Sequence, residues 1–117
     1  MRQQVNYWQP MPVQLVAGSV RESYSAQQPA FLSMQPPDSR GSFRQYLTGR
    51  KMNEFMEAIG EVELAVTDEN KHNGAIVLWR GRYYEVVDCM PWLNGVINHF
   101  EYLLFRMTEK DAIKLVG

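Results

Sequence analysis

The chain has 117 residues, 45% of them hydrophobic, with 12 basic and 13 acidic side chains and a formal net charge of -1. That is enough chain for one domain with a core, too little for two, and too apolar for a disordered protein. The even charge argues against a chain whose main work is gripping nucleic acid, and no stretch approaches the ~20 apolar residues that span a bilayer.

Residues 1–10 read as an extended arm, because Pro10 and Pro12 disfavour helix and Tyr7 and Trp8 are the large apolar groups before them. Such an arm either tucks onto its own domain or docks on a neighbour, since aromatic anchors serve both. Asn6, Gln9, Pro10, Pro12 and Gln14 break any signal-like apolar run, so the chain is expected in the cytoplasm where it is made. Residues 11–20 alternate loosely around Val13, Leu15 and Ala17 and predict a first strand. A polar connection over 21–28 leads to a second short strand over 30–34, stopped by Pro36 and Pro37.

Residues 39–51 change character. Ser39 and Ser42 are candidate caps, Phe43, Tyr46 and Leu47 form one apolar stripe at helical spacing, and Gly49 offers a C-cap. This predicts a short helix near 42–49, with Arg40, Arg44, Arg50 and Lys51 as its solvated basic face. Periodicity leaves residues 52–58 open between helix and strand. The run EVELAVT, residues 61–67, alternates and predicts a half-buried strand, and the polar loop that follows ends in Asn73-Gly74.

Residues 75–79 and 82–89 are β-branched and aromatic strands about Arg80-Gly81, a tight hairpin in which Gly81 can take a positive φ. Alternation puts Tyr84 and Val86 on one face and Tyr83, Glu85 and Val87 on the other. Pro91-Trp92 ends that strand, Asn94-Gly95 is a further turn, and residues 99–107 resume a strand before a tail that is either a short helix or a frayed end. Short strands without a βαβ rhythm predict a mainly β fold. The expected form is a small antiparallel β-barrel or sandwich with one short helix and an extended N-terminal arm. The expected organisation is one domain: arm and first strand over 1–28, barrel core over 29–107, and tail over 108–117.

Little in the chain suggests chemistry. Cys89 is the lone cysteine, which excludes an intramolecular disulfide and cysteine-pair zinc, suits a reducing compartment and reads as a small buried hydrophobe. His72 and His99 lack a partner at metal spacing, and Glu61 and Glu63 share a solvated strand face. No nucleotide-binding or nucleophile-elbow motif is present. An enzyme is not expected, nor a cofactor or metal. A rival expectation is a small β-barrel that binds single-stranded nucleic acid, with Trp79, Arg80, Arg82, Tyr83 and Tyr84 joining aromatic and basic groups in one hairpin.

An ordered set of short motifs then runs from about Ser33 to Met107. Gln35-Pro36 is followed by Phe43-Arg44-Gln45-Tyr46-Leu47 with Gly49-Arg50, by residues 63–67, and by Gly74-Ala75-Ile76-Val77-Leu78-Trp79. Gly81-Arg82-Tyr83-Tyr84-Glu85-Val86-Val87, Trp92 and His99-Phe100-Glu101-Tyr102 complete the order. In that order and spacing the chain resembles the small neck proteins of tailed bacteriophages, the head-closure and head-tail joining (connector) group. The first 30 residues lie outside the resemblance.

The resemblance implies a structural virion protein of the phage neck without a catalytic site. Such a protein forms a ring, a hexamer or dodecamer of itself, that lines or closes the DNA channel. Its partners would be a portal or adaptor protein on the head side and a tail terminator or tail-tube protein on the tail side. Double-stranded DNA would pass without specific binding, no membrane would be involved, and assembly would take place in the host cytoplasm. The side chains expected at interfaces are Tyr7 and Trp8 in the arm, and Phe43 and Tyr46 in the short helix. Trp79, Arg82 and Tyr83 in the hairpin join them, with Tyr84 and Val86 expected in the core.

Overall fold

The computed structural model describes residues 2–12, 14–21, 23–37, 43, 54–67, 74–93 and 98–116. Its strands are β1 (Gln3–Trp8), β2 (Gln14–Val16), β3 (Ser19–Arg21), β4 (Gln28–Gln35), β5 (Phe55–Gly60), β6 (Ile76–Trp79), β7 (Arg82–Trp92) and β8 (His99–Met107), followed by a helix, α1 (Glu109–Val116). Six of them close a barrel in the order β1-β4-β5-β8-β7-β6, with β6 returning to β1, and every pairing is antiparallel. The mainly β reading therefore holds as a closed barrel, which leaves the barrel strands no open edge.

Alternation builds the interior. Val5 and Tyr7 of β1, Ala30, Leu32 and Met34 of β4, and Ala58 of β5 face inward together. Val77 of β6, Tyr84 and Val86 of β7, and Tyr102 and Leu104 of β8 complete the cluster. A bulge between Val86 and Asp88 resets β7. Val87 and Met90 join an outer cluster while Cys89 packs against the inner one, as an inserted residue requires.

Two outer faces are also covered. Phe43, only 1% exposed, packs with Phe55 and Leu103 over β5 and β8. Helix α1 lays Ala112, Leu115 and Val116 on Trp8, Ile76 and Tyr83. The helix starts at Thr108, whose hydroxyl accepts the Asp111 N–H at 3.2 Å, and acidic groups in the first turn and Lys114 in the last suit its dipole.

Several expectations change. The amino-terminal stretch is no free arm but β1, tucked so fully onto its own domain that it closes the barrel between β4 and β6. The barrel thus begins at Gln3 rather than near residue 29. The single strand expected over 11–20 is the hairpin β2–β3, paired only with itself as a sheet. Its turn puts Ala17 (φ 53°) and Gly18 (φ 80°) both in the left-handed region, the two-residue geometry that matches strand twist. The turn at Arg80 (φ 51°) and Gly81 (φ 75°) has the same form. Residues 61–67, expected as a strand, bend at 61–62 and join no strand ladder, and the tail is helical. The short helix near 42–49, including Tyr46, lies outside the described residues apart from Phe43, as does the Asn94-Gly95 turn.

Candidate functional site

The residues expected at interfaces are largely absorbed by the chain's own packing. Tyr7 points into the barrel, 8% exposed, and its hydroxyl donates to Gln28 Oε1 at 3.1 Å. Trp8, on the opposite face of β1, is covered by α1 and stacks with Tyr83 at a centroid distance of 6.1 Å. Phe43 is buried too. Tyr7, Trp8 and Phe43 have little surface left for a neighbour, because closure of β1 and the covers over the outer faces have used it.

Trp79 lies half-buried at the inner end of β6, where its indole N–H donates to Gln3 Oε1 at 2.9 Å. The Arg80 guanidinium lies 4.8 Å over its ring, a cation–π contact. Tyr84 and Val86 are interior, as alternation predicts. Arg80 and Arg82 remain the exposed part of this hairpin.

The most exposed large apolar groups among the described residues are different ones: Leu15 on β2 (76% exposed), Phe31 on the outer face of β4 (60%), and Leu93 after β7 (64%). Phe31 was legible, since Ala30, Leu32 and Met34 point inward and strict alternation leaves Phe31 outside. Leu15 gave no such signal, because its hairpin forms a separate two-stranded sheet outside the barrel.

An open cleft of about 550 Å³ lies where the β6–β7 turn meets the start of α1, lined by Arg82, Arg106, Glu54 and Glu109 among others. Its charges are of both signs and exposed or half-buried, so it has no single ligand polarity. Among the described residues no group of three His, Cys, Asp or Glu side chains stands together as a metal site. Burial pushes the Cys89 thiol upward, and the carboxylates of Asp88 and Glu63 push it further. At neutral pH it is therefore a thiol, without the reactivity of a thiolate.

The most constrained polar arrangement holds residues 61–67 across the barrel. Leu64 N–H donates to the Tyr102 hydroxyl at 2.8 Å, and that hydroxyl donates to the Val62 carbonyl at 2.6 Å. On the other edge the Gln9 amide group donates to the Glu63 carbonyl and its oxygen accepts Ala65 N–H at 3.0 Å. Each side chain thus satisfies one carbonyl and the N–H two residues on, as a neighbouring strand would. An alternating sequence here is thus held by side chains in place of a strand ladder. Nothing local marks Gln9 for this role, since its partners lie more than fifty residues away.

Burial raises the Tyr102 hydroxyl well above the usual tyrosine range. Above pH ~10 the unfolded chain ionises this group and the folded chain does not, so the unfolded state binds fewer protons. Stability is then fully present below that pH and falls as pH rises further, by about 1.4 kcal/mol per unit for this group until the folded hydroxyl itself ionises. Denaturant unfolding between pH 8 and 11.5 is expected to show stability falling first as the Cys89 thiol of the unfolded chain ionises, since that group too is raised by folding, and more steeply above pH ~10.

No protein-family model, curated protein or solved structure matches the chain.

Proposed function

We propose that this chain is a structural subunit of the neck of a tailed bacteriophage, forming a ring that joins head to tail around the DNA channel. The observation that carries the reading is where the ordered motifs fall. Gln35-Pro36 closes β4, Gly81 to Val87 forms the turn and inner half of β7, and His99 to Tyr102 opens β8. These three motifs fall on barrel strands, while residues 63–67 join no ladder and residues 44–50 lie outside the described residues.

The exposed groups suit the same reading. A hairpin paired only with itself presents Leu15, and the outer wall presents Phe31. A ring subunit contacts its neighbours through two different surfaces, and a heterologous contact of that kind closes into a ring. With 12 basic and 13 acidic side chains the chain carries little net charge, which suits a channel that DNA must traverse without being held. On this reading it works as a joint, not as an enzyme.

The test is localisation in the particle. Antibody against this chain, visualised with gold on purified virions of the phage that encodes it, is expected to label the junction of head and tail. Virions that lack the chain, or carry it on the capsid or tail tip, contradict the reading.

A further inference from the structure

We infer that residues 61–65 are a releasable strap, which opens as a local unit while the barrel beneath stays closed. The inference concerns the fold itself and holds whatever the function.

β5 pairs directly with β8, and β6 pairs directly with both β1 and β7. Lifting residues 61–65 therefore breaks no pairing between barrel strands, and one backbone bond at its downstream end, from Ala75 N–H to the Ala65 carbonyl. The strap is held along both edges by side chains, Gln9 on one and Tyr102 on the other, and by the exposed ion pair of Arg2 with Glu61 at 3.2 Å. Such an exposed pair adds little.

Its downstream end is tied differently. Backbone bonds join Thr67 N–H to the Val86 carbonyl at 2.8 Å and Ala75 N–H to the Ala65 carbonyl at 2.9 Å. The strap thus has a firm anchor at one end and side-chain clasps along the rest. Segments with few ladder bonds open at lower free energy than the core they cover.

What opening uncovers is the barrel interior. Leu64, 3% exposed, and Val62 pack into the same cluster as Tyr102 and Leu104, and Cys89 packs against that cluster. A released strap exposes these groups and frees the Tyr102 hydroxyl, while β1 to β8 keep their partners. The structure thus holds a cover over its own core that can be lifted without unfolding.

Native-state hydrogen exchange on the full chain tests this. The amides of Leu64 and Ala65 are expected to exchange at least ~100-fold faster than ladder amides such as those of Ala58 and Leu104. Their rate is expected to be indifferent to low denaturant, which marks local opening. Gln9→Ala, which removes both hydrogen bonds of that side chain to the strap, should speed Ala65 a further ~10-fold and leave Ala58 and Leu104 unchanged. Exchange of Leu64 and Ala65 in step with the ladder as denaturant is added overturns the inference. So does a Gln9→Ala variant that accelerates all four amides equally.

Discussion

Gly74→Ala is expected to be the most damaging single-methyl substitution in the described chain, lowering stability by about 3 kcal/mol. An added Cβ would lie 2.3 Å from Thr67 Oγ1, 2.4 Å from Thr67 N and 2.9 Å from Thr67 Cα. Two of those atoms are backbone, and neither residue is free to retreat. Thr67 N–H is bonded to the Val86 carbonyl at 2.8 Å, its hydroxyl accepts Gly74 N–H at 3.0 Å, and the Gly74 carbonyl accepts the Tyr24 hydroxyl at 2.9 Å.

For a domain of this size a loss of 3 kcal/mol lowers the melting temperature by roughly 10 °C or more, readable by thermal unfolding. Gly18→Ala is the control. Its φ of +80° strains any other residue, but nothing stands within 4 Å, so only the ~1 kcal/mol backbone cost applies. Equal effects at the two sites would show that the close approach at Thr67 is not what fixes Gly74.

Tyr102→Phe is expected to cost about 2 kcal/mol without disturbing the barrel ladder. The ring fills the core as before, so the change isolates one oxygen. That oxygen serves two backbone groups, Leu64 N–H and the Val62 carbonyl, which nothing else described serves. Leaving a buried donor or acceptor unsatisfied costs ~1–3 kcal/mol, and release of the strap to solvent limits the sum. The same variant removes the group whose ionisation is suppressed by folding, so the decline in stability above pH ~10 should shrink with it. A variant with unchanged stability and an unchanged alkaline limb would show that the hydroxyl does not hold the strap.

Much of the barrel was legible because its strongest signals are local. β8 runs over the residues that the HFEYLLFRM run predicts, β4 ends before Pro36, and β6 and β7 turn at Arg80-Gly81. Less local features were hidden. β1 reads QQVNYW, and only Val5 and Tyr7 betray its inward face, while the prolines after it suggest an arm. Its strand character comes from β4 and from β6, where Tyr7 meets Val77, a pairing no local pattern encodes.

Residues 61–67 fail in the opposite sense. Period two put Val62, Leu64 and Val66 on one buried face, yet only Leu64 is buried and Val66 is exposed, and the pattern says nothing about what the backbone bonds to. Burial of Tyr7, Trp8 and Phe43, which the sequence reading expected at interfaces, has a related reason. Large aromatics such as Trp8 and Tyr83 find partners wherever surface is available, and here closure and α1 bring them to each other. The groups left outside, Leu15 and Phe31, are less conspicuous in the sequence.

The proposed neck role is tested most directly by deleting the gene for this chain from the genome that carries it and imaging the resulting lysate by electron microscopy. The expected result is DNA-filled or leaked heads lying beside separate, finished tails, with assembly restored when the chain is supplied in trans. Normal, infectious particles in the absence of the chain would contradict a joining role.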